Sequence, residues 1–421
     1  MPKLSLNASK KTKHTPAGEI PVDWAWATLD GVTSKERRVS YGIVQTGENL
    51  AEGIPCVRVV DLNNSRLDLE SMIRTSPRIS NSYKRTVLKK DDIIFALRGD
   101  IGKTIIVDEK LVGANLTRGV ALIAADPAKA QPEFLRYSLE AGPTNTAIRL
   151  AVNGTSLKEI PINALRQIPV PLPPLPEQRQ IADILSTWNR AIETLESLIA
   201  AKSRRKQALM QQLLTHTLEF AKVGHSRHRL GDVVERVTRK NPKGDTNVLT
   251  ISAQQGLISQ SSYFNRNVAG EDLSTYYQLK RGEFAYNRSS SKGYPFGAIK
   301  RLNAYPTGVV STLYLCFRIT EEKRTCSDFL CHCFDSGMLN QGLRCVAQEG
   351  ARAHGLLNVT STDFMDLDVC LPDFASQQRI ATILNTADRE LTLHRQHLEF
   401  LRTQKRGLMQ KLLTGEVRTI R

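Results

Sequence analysis

The chain has 421 residues, and 58 Lys and Arg against 42 Asp and Glu leave a formal charge of +16. With 41% hydrophobic and 24% charged residues it has globular usage, enough for two or three domains, which excludes large-scale disorder. The basic excess attracts polyanions, nucleic acid first and anionic membrane second. No run reaches the roughly 18 to 20 uncharged apolar residues of a membrane span, and the N-terminus has no apolar signal core, so a cytoplasmic protein without a membrane partner is expected.

In chain order, residues 1–18 read as a flexible, Lys-rich basic tail. The segment 19–171 reads as a first variable domain of mixed α/β character. Its runs IPCVRVVDL (54–62), DIIFALRG (92–99), KTIIVD (103–108) and GVALIAAD (119–126) are short, apolar, β-branched and bounded by turn residues. The pattern PEFLRYSLEAG (132–142) is helical. Prolines at 169, 171, 173, 174 and 176 stop a helix from running backwards, so the spacer 172–222 should become helical near Glu177.

A second variable domain, 223–370, repeats this grammar. FAYNR (284–288), GAIKRL (297–302) and VVSTLYLCFRI (309–319) read as strands and CSDFLCHCFDSG (326–337) as a helix. A second helical spacer, 371–421, closes the chain. Five cysteines, Cys316, Cys326, Cys331, Cys333 and Cys345, gather near His332, but they lack the paired knuckles of a structural zinc site. They are expected to be reduced small hydrophobes, with no metal.

The two spacers are repeats. Residues 181–215 align without a gap to 380–414, an offset of 199 (380 less 181), ending in Leu-Met-Gln-x-Leu-Leu-Thr at 209–215 and 408–414. Each carries a heptad. One seam runs through Leu185, Trp188, Ile192, Leu195, Ile199 and Leu209, with Lys202 and Lys206 in it; the other through Leu384, Leu391, Leu398, Leu401 and Leu408. Connectivity makes the pair antiparallel. The expected fold is α+β: two pseudo-repeated α/β domains separated by two long helices in an antiparallel coiled coil, a pseudo-two-fold dumbbell.

Catalytic motifs are missing. Gly102-Lys103-Thr104 lacks the first glycine of a phosphate loop, because Leu97 stands there and a strand-like run follows. No dinucleotide turn, nucleophile elbow or zinc-protease helix is found, and Asp108 with Lys110 is half a nuclease site at most. What remains is basic, aromatic and small polar residues in loops. In the first domain these are Tyr83, Lys84, Arg85, Arg98, Lys103, Asn115, Arg118, Ser156 and Lys158. In the second they are Arg288, Ser289, Ser290, Lys292, Tyr294, Lys300, Arg301, Arg352 and His354. Such residues reach phosphates and base edges, and nearby glycines let a backbone come close. Arg204, Arg205, Lys206, Arg402, Lys405 and Arg406 form further basic clusters on the helices.

The order of variable domain, Pro174-x-Pro176-Glu177-Gln178-x-x-Ile181-Ala182 helix and Leu-Met-x-x-Leu-Leu-Thr ending, twice over, resembles the DNA-specificity subunit of type I restriction-modification enzymes. Gly18-x-Ile20-Pro21-x-x-Trp24 resembles the family's N-terminal start; Ser376-Gln377-Gln378 departs from Glu-Gln-Arg and leaves the second helix cap open. The resemblance implies two target recognition domains, each reading half of a bipartite, asymmetric duplex DNA target, with the helices setting the spacing. It also implies a non-catalytic chain whose partners are two methyltransferase subunits and restriction-translocase subunits. S-adenosylmethionine, ATP and Mg²⁺ would sit on those partners and none here. The alternatives are a coiled-coil scaffold with non-specific DNA or RNA binding, and a nuclease centred on Asp108.

Overall fold

The computed structural model describes all residues except 1–2, 6–10, 64–66, 155–156, 221–225, 242–243, 253, 265–271, 292, 350–356 and 421. It divides into two compact units. Unit one is Met1–Glu196 with His397–Arg421; unit two is Ser197–Gln396. The divisions thus fall inside the long helices rather than at the ends of the spacers, because each helical half packs on its own unit.

In unit one an antiparallel sheet is built from β1 (Ser40–Tyr41), β2 (Ile93–Ala96), β3 (Thr104–Ile106) and β4 (Val120–Ile123), in the order β1-β4-β2-β3. Alternation along β2 and β4 splits the core. Ile93, Phe95, Ala121 and Ile123 face one apolar cluster, and Ile94, Ala96, Val120 and Leu122 face another. A smaller sheet sets Ile54–Val57 between Asn115–Leu116 and Ile73–Thr75. The strand expected over 54–62 ends at Val57, since the Asp61 carboxylate accepts from the Arg58 N–H and folds Val59–Asn63 into a 3-10 turn.

Unit two repeats the sheet. Its strands β5 (Val234–Arg236), β6 (Phe284–Asn287), β7 (Ala298–Arg301) and β8 (Leu315–Ile319) run in the order β5-β8-β6-β7, again antiparallel. One face of β6 and β8 is aromatic, with Phe284 stacked on Phe317 at 5.3 Å and Tyr286 on Phe364 at 4.8 Å. The run 309–319, expected as one strand, is two: Thr307–Val310 and β8 are separated by a turn in which Ser311 accepts from the N–H groups of Leu313 and Tyr314.

The described part of the segment read as a basic tail is strand-paired. Lys3–Ser5 pairs with Arg418–Ile420, and Thr12–Thr15 pairs with Gly18–Pro21. The hairpin between the latter two strands turns at Gly18, whose φ of +91° suits glycine.

Four helices dominate the packing of the two units: α1 (Pro132–Glu140), α2 (Leu175–Phe220), α3 (Ser327–Asp335) and α4 (Phe374–Thr414). The heptad positions are the shielded ones. Leu185, Leu195, Leu384, Leu391 and Leu398 are buried, while Trp188, Ile192, Ile199, Leu209, Leu401 and Leu408 are half-buried. In unit one the start of α2 and the end of α4 close a core with Ile20, Trp24, Phe134 and Tyr137, and Arg402 reaches Glu196 at 2.6 Å. In unit two Lys202 pairs with Glu390 at 2.5 Å and Lys206 with Asp388. Rising numbers on one helix meet falling numbers on the other, so the pairing is antiparallel. The two seam lysines lay their alkyl stems in the seam and carry their ammonium groups out to flanking acids.

Candidate nucleic-acid interface

Unit one gathers five loops at one end of its strands. The Ile43 N–H donates to the Leu116 carbonyl, Arg118 N–H to Ile43, and Thr117 N–H to Val57. Glycines let them close: a Cβ on Gly42 would stand 2.1 Å from the Leu116 oxygen, and one on Gly119 2.7 Å from a Val59 methyl. A further cleft is lined by Arg98, Gly99, Leu157, Lys158 and Glu159. The cluster presents Arg118, Lys158 and the solvent-exposed apolar side chains of Val44, Val60 and Leu157. Arg118 and Lys158 have no ion pair among the described residues, so their charge faces outward.

The other candidates of this unit have different surroundings. Lys84 and Arg85 are exposed and Tyr83 half-buried on the turn after the Pro77–Ser82 helix. Arg98 pairs with Glu159 at 2.8 Å, and Lys103 lies 4.0 Å from Asp100. Asn115 is fully buried. It accepts from the Thr86 hydroxyl at 2.8 Å and from the Leu116 N–H, and donates to the Ser80 hydroxyl at 3.1 Å. Its amide is spent inside the unit, which corrects its expected role as a nucleic-acid contact: it ties the loop cluster together. Ser156 lies outside the described residues.

In unit two several candidates are likewise engaged. Arg288 donates to the carbonyls of Leu313 and Val359, at 2.8 and 2.9 Å for the shorter bonds, and so fastens two loops to the end of β6. Arg301 bonds Asp328 at 2.6 Å and Ser327 at 2.7 Å. Lys300 bonds Asp335 at 2.5 Å and Tyr294 at 3.2 Å; burial opposes its charge, but the Asp335 carboxylate and Tyr294 hold its ammonium above the ordinary range. Burial also raises the Asp328 carboxyl, yet Arg301 and Asn385 outweigh it and leave that group low. Arg301 and Lys300 therefore cement β7 to α3, a role their sequence spacing did not reveal. Ser290 is exposed and Ser289 half-buried; Lys292, Arg352 and His354 lie outside the described residues.

Cys56, Cys316, Cys333 and Cys370 are buried, Cys326 and Cys331 half-buried and Cys345 exposed. Desolvation pushes the Cys56 thiol up to about 11 and those of Cys316 and Cys331 to about 12, far from thiolate character. Asp108 caps its own turn by accepting from the N–H groups of Lys110 and Leu111, and Glu109 pairs with Lys90. On the helices Arg204, Arg205 and Arg406 are exposed with no ion pair among the described residues. Lys405 is half-buried with its ammonium 5.9 Å from the Tyr137 ring centre, and burial lowers its pKa.

Two sets of residues that the sequence marks only as motif positions take on a definite task in the structure. In unit one Glu177 is buried and accepts from Arg418 at 2.6 and 2.8 Å and from the Trp24 indole at 3.2 Å, while Asp23 takes the remaining face of Arg418. The Arg418 hydrogen bonds hold the Asp23 carboxyl below its ordinary range. The second set is Gln178 and Gln377, each 1% exposed and each tying a long helix to its own unit. They stand at the repeat offset of 199 (377 less 178), a signal that the internal repeat already carries. The second helix cap, open from the sequence, is made by Asp373, which accepts from the N–H and hydroxyl of Ser376 at 2.9 and 2.6 Å.

The chain is similar to proteins of one family. The family model described as the type I restriction modification DNA specificity domain matches residues 21–201. The specificity subunit of the type I restriction enzyme EcoBI of Escherichia coli is 29% identical over 195 residues, which is 46% of this chain and 41% of that protein's length. A chain of Methanocaldococcus jannaschii described as a putative MjaX type I restriction enzyme specificity subunit is 23% identical over 99% of this chain and 98% of its own. Among solved structures, the S subunit of a type I restriction-modification system from M. genitalium shares the fold, with a TM-score of 0.57 at 16% identity over 98% of both chains.

Proposed function

We propose that the chain is a member of the family of type I restriction-modification DNA specificity subunits, and that each unit reads one half of a bipartite, asymmetric duplex target. The observation that carries this is the contrast within the repeat. The sheets have one strand order and the long helices one set of buried ties, whereas the loops at the strand ends differ in length, charge and bonding. A shared frame with divergent loops is what two related readers of unlike sequences require. In unit one Arg118 and Lys158 supply outward charge for phosphates, and Val60 and Leu157 supply apolar contact of the kind a thymine methyl accepts.

The chain works, on this reading, in the cytoplasm as the non-catalytic part of a complex with DNA and the other restriction-modification subunits. Two methyltransferase subunits would dock on the matched helical halves, since two copies of one partner need two equivalent surfaces. Restriction-translocase subunits would join them. S-adenosylmethionine, ATP and Mg²⁺ would be held by those partners. Arg204, Arg205 and Arg406 suit the phosphates between the half-sites. A generic phosphate-binding scaffold would need no such division of labour between frame and loops, and the similarity to that family does not favour it.

The test exchanges residues 20–170 for the first variable domain of a relative and maps methylated adenines in the host genome. One half of the methylated sequence should change and the other should stay. A change in both halves, or in neither, overturns the reading.

A further inference from the structure

Gln178 and Gln377 perform the same task in the two units, bond for bond. The Gln178 amide donates to the carbonyls of Lys129 at 3.1 Å and Pro173 at 2.9 Å, and its oxygen accepts from the Gln131 N–H at 2.9 Å. The Gln377 amide donates to the carbonyls of Arg324 at 3.1 Å and Pro372 at 2.9 Å, and its oxygen accepts from the Cys326 N–H at 2.8 Å. Gln131 and Cys326 are the N-cap residues of α1 and α3. Each glutamine therefore stitches the first turn of a long helix to the first turn of a short helix of its own unit, using backbone groups whose positions are set by the fold.

A second tie lies eight residues further along each long helix (186 less 178, and 385 less 377). Ser186 bonds the Tyr137 hydroxyl at 3.2 Å, and Asn385 bonds the His332 ring at 2.9 Å, with Tyr137 on α1 and His332 on α3. At 1.5 Å per residue the two ties stand about 12 Å apart along the axis. One tie alone leaves a helix free to pivot; two fix its direction. The apolar packing between the ties, with Ile181 and Leu185 in one cluster with Phe134 in unit one, holds the helices together, and the two ties add directional bonds at either end of it.

We propose that Gln178 and Gln377 are the positioning residues that set the spacing the protein demands between its half-sites, a proposal that rests on the bipartite reading above. The lever arithmetic supports it. Helices of 46 and 41 residues are roughly 60 to 70 Å long, so a tilt of about 3° moves the far end by about 3.4 Å, one base-pair step. A buried three-bond amide at the root of each helix is suited to suppress such tilts, and the cost of leaving its backbone partners unpaired keeps it there.

The experiment uses the full chain assembled with its partner subunits and a set of duplexes that carry the host's mapped target with the spacer lengthened or shortened by one and two base pairs. Gln178→Met and Gln377→Met keep the side-chain volume and remove all three bonds. The expected result is a broadened profile: the preference for the native spacer over its one-base-pair neighbours falls roughly tenfold in initial methylation rate, while both half-site sequences stay as demanding as before. A uniform loss of rate at every spacer, or an unchanged profile, overturns the proposal. If the methionine variants do not assemble, Gln178→Asn and Gln377→Asn, which keep the amide but withdraw it from its partners by one methylene, are read in the same way: broadening supports the proposal and an unchanged profile overturns it. A wild-type complex that methylates all spacers alike would instead overturn the bipartite reading, so the two failures are distinguishable.

Discussion

Unit one and unit two share a sheet order, a short helix packed on a long one and a buried glutamine at the root of that long helix, but only unit one is closed by both ends of the chain. There the strand Lys3–Ser5 pairs with Arg418–Ile420, and Arg418 joins Asp23 and the buried Glu177. Unit two has Ser376 where unit one has Glu177, and its helix is capped locally by Asp373. Glu177 is therefore not needed to start the helix. It is there to receive the returning C-terminal segment, and the unit that receives no segment does without it.

The widest test of the shared part is at the seam. Leu185 in unit one and Leu384 in unit two are both fully buried, and a glutamate at either would bury an uncompensated charge. Leu185→Glu and Leu384→Glu should each cost roughly 4 kcal/mol in denaturant unfolding. A difference of more than about 1.5 kcal/mol between them would show that the two environments are not matched.

A smaller effect isolates what unit one has alone. Arg418→Ala strands the Glu177 carboxylate with only the Trp24 indole, for an expected loss of about 3 kcal/mol, whereas Ser376→Ala should cost about 1 kcal/mol or less. The pH dependence has a definite sign. Because Arg418 depresses the folded-state pKa of Asp23 below its ordinary value of 3.8, that contribution is present above about pH 4 and is lost as pH falls through the folded value. Melting curves should therefore show the gap between wild type and Arg418→Ala shrinking as the pH is taken below about 4; a gap that widened there would break the assignment.

The smallest change in stability separates frame from reading surface. Asn115→Ala leaves the Thr86 hydroxyl, Ser80 and the Leu116 N–H short of a partner and should cost about 2 kcal/mol with target preference intact. Arg118→Ala should leave the unfolding free energy within about 0.5 kcal/mol of wild type and lower the salt dependence of DNA binding by about one counterion. An Arg118 variant with an unchanged salt slope would remove that residue from the interface.

Much of the frame was legible in the sequence because periodicity is a one-dimensional signal. The heptads of α2 and α4, the offset of 199 and the strand grammar of β2 and β6 all follow from spacing alone. The candidate interface was legible only as a set of residue types. Asn115, Arg288 and Arg301 have the composition of a binding loop, yet their polar groups are used within the fold, and nothing in their neighbours along the chain distinguishes them from Arg118 or Lys158. The paired strands at 3–5 and 418–420 were illegible for the same reason, since their partners are at opposite ends of the chain.

Spacing along the chain is enough to establish a tandem repeat of a mixed α/β unit and a long amphipathic helix, because burial on one face writes its period into the residues that make it. Which cations are left facing outward, which glutamines root the helices and which unit holds the chain ends are settled only when the chain has folded. Those outcomes depend on partners distant in sequence, and a polar group's function is fixed by whether such a partner has already claimed it.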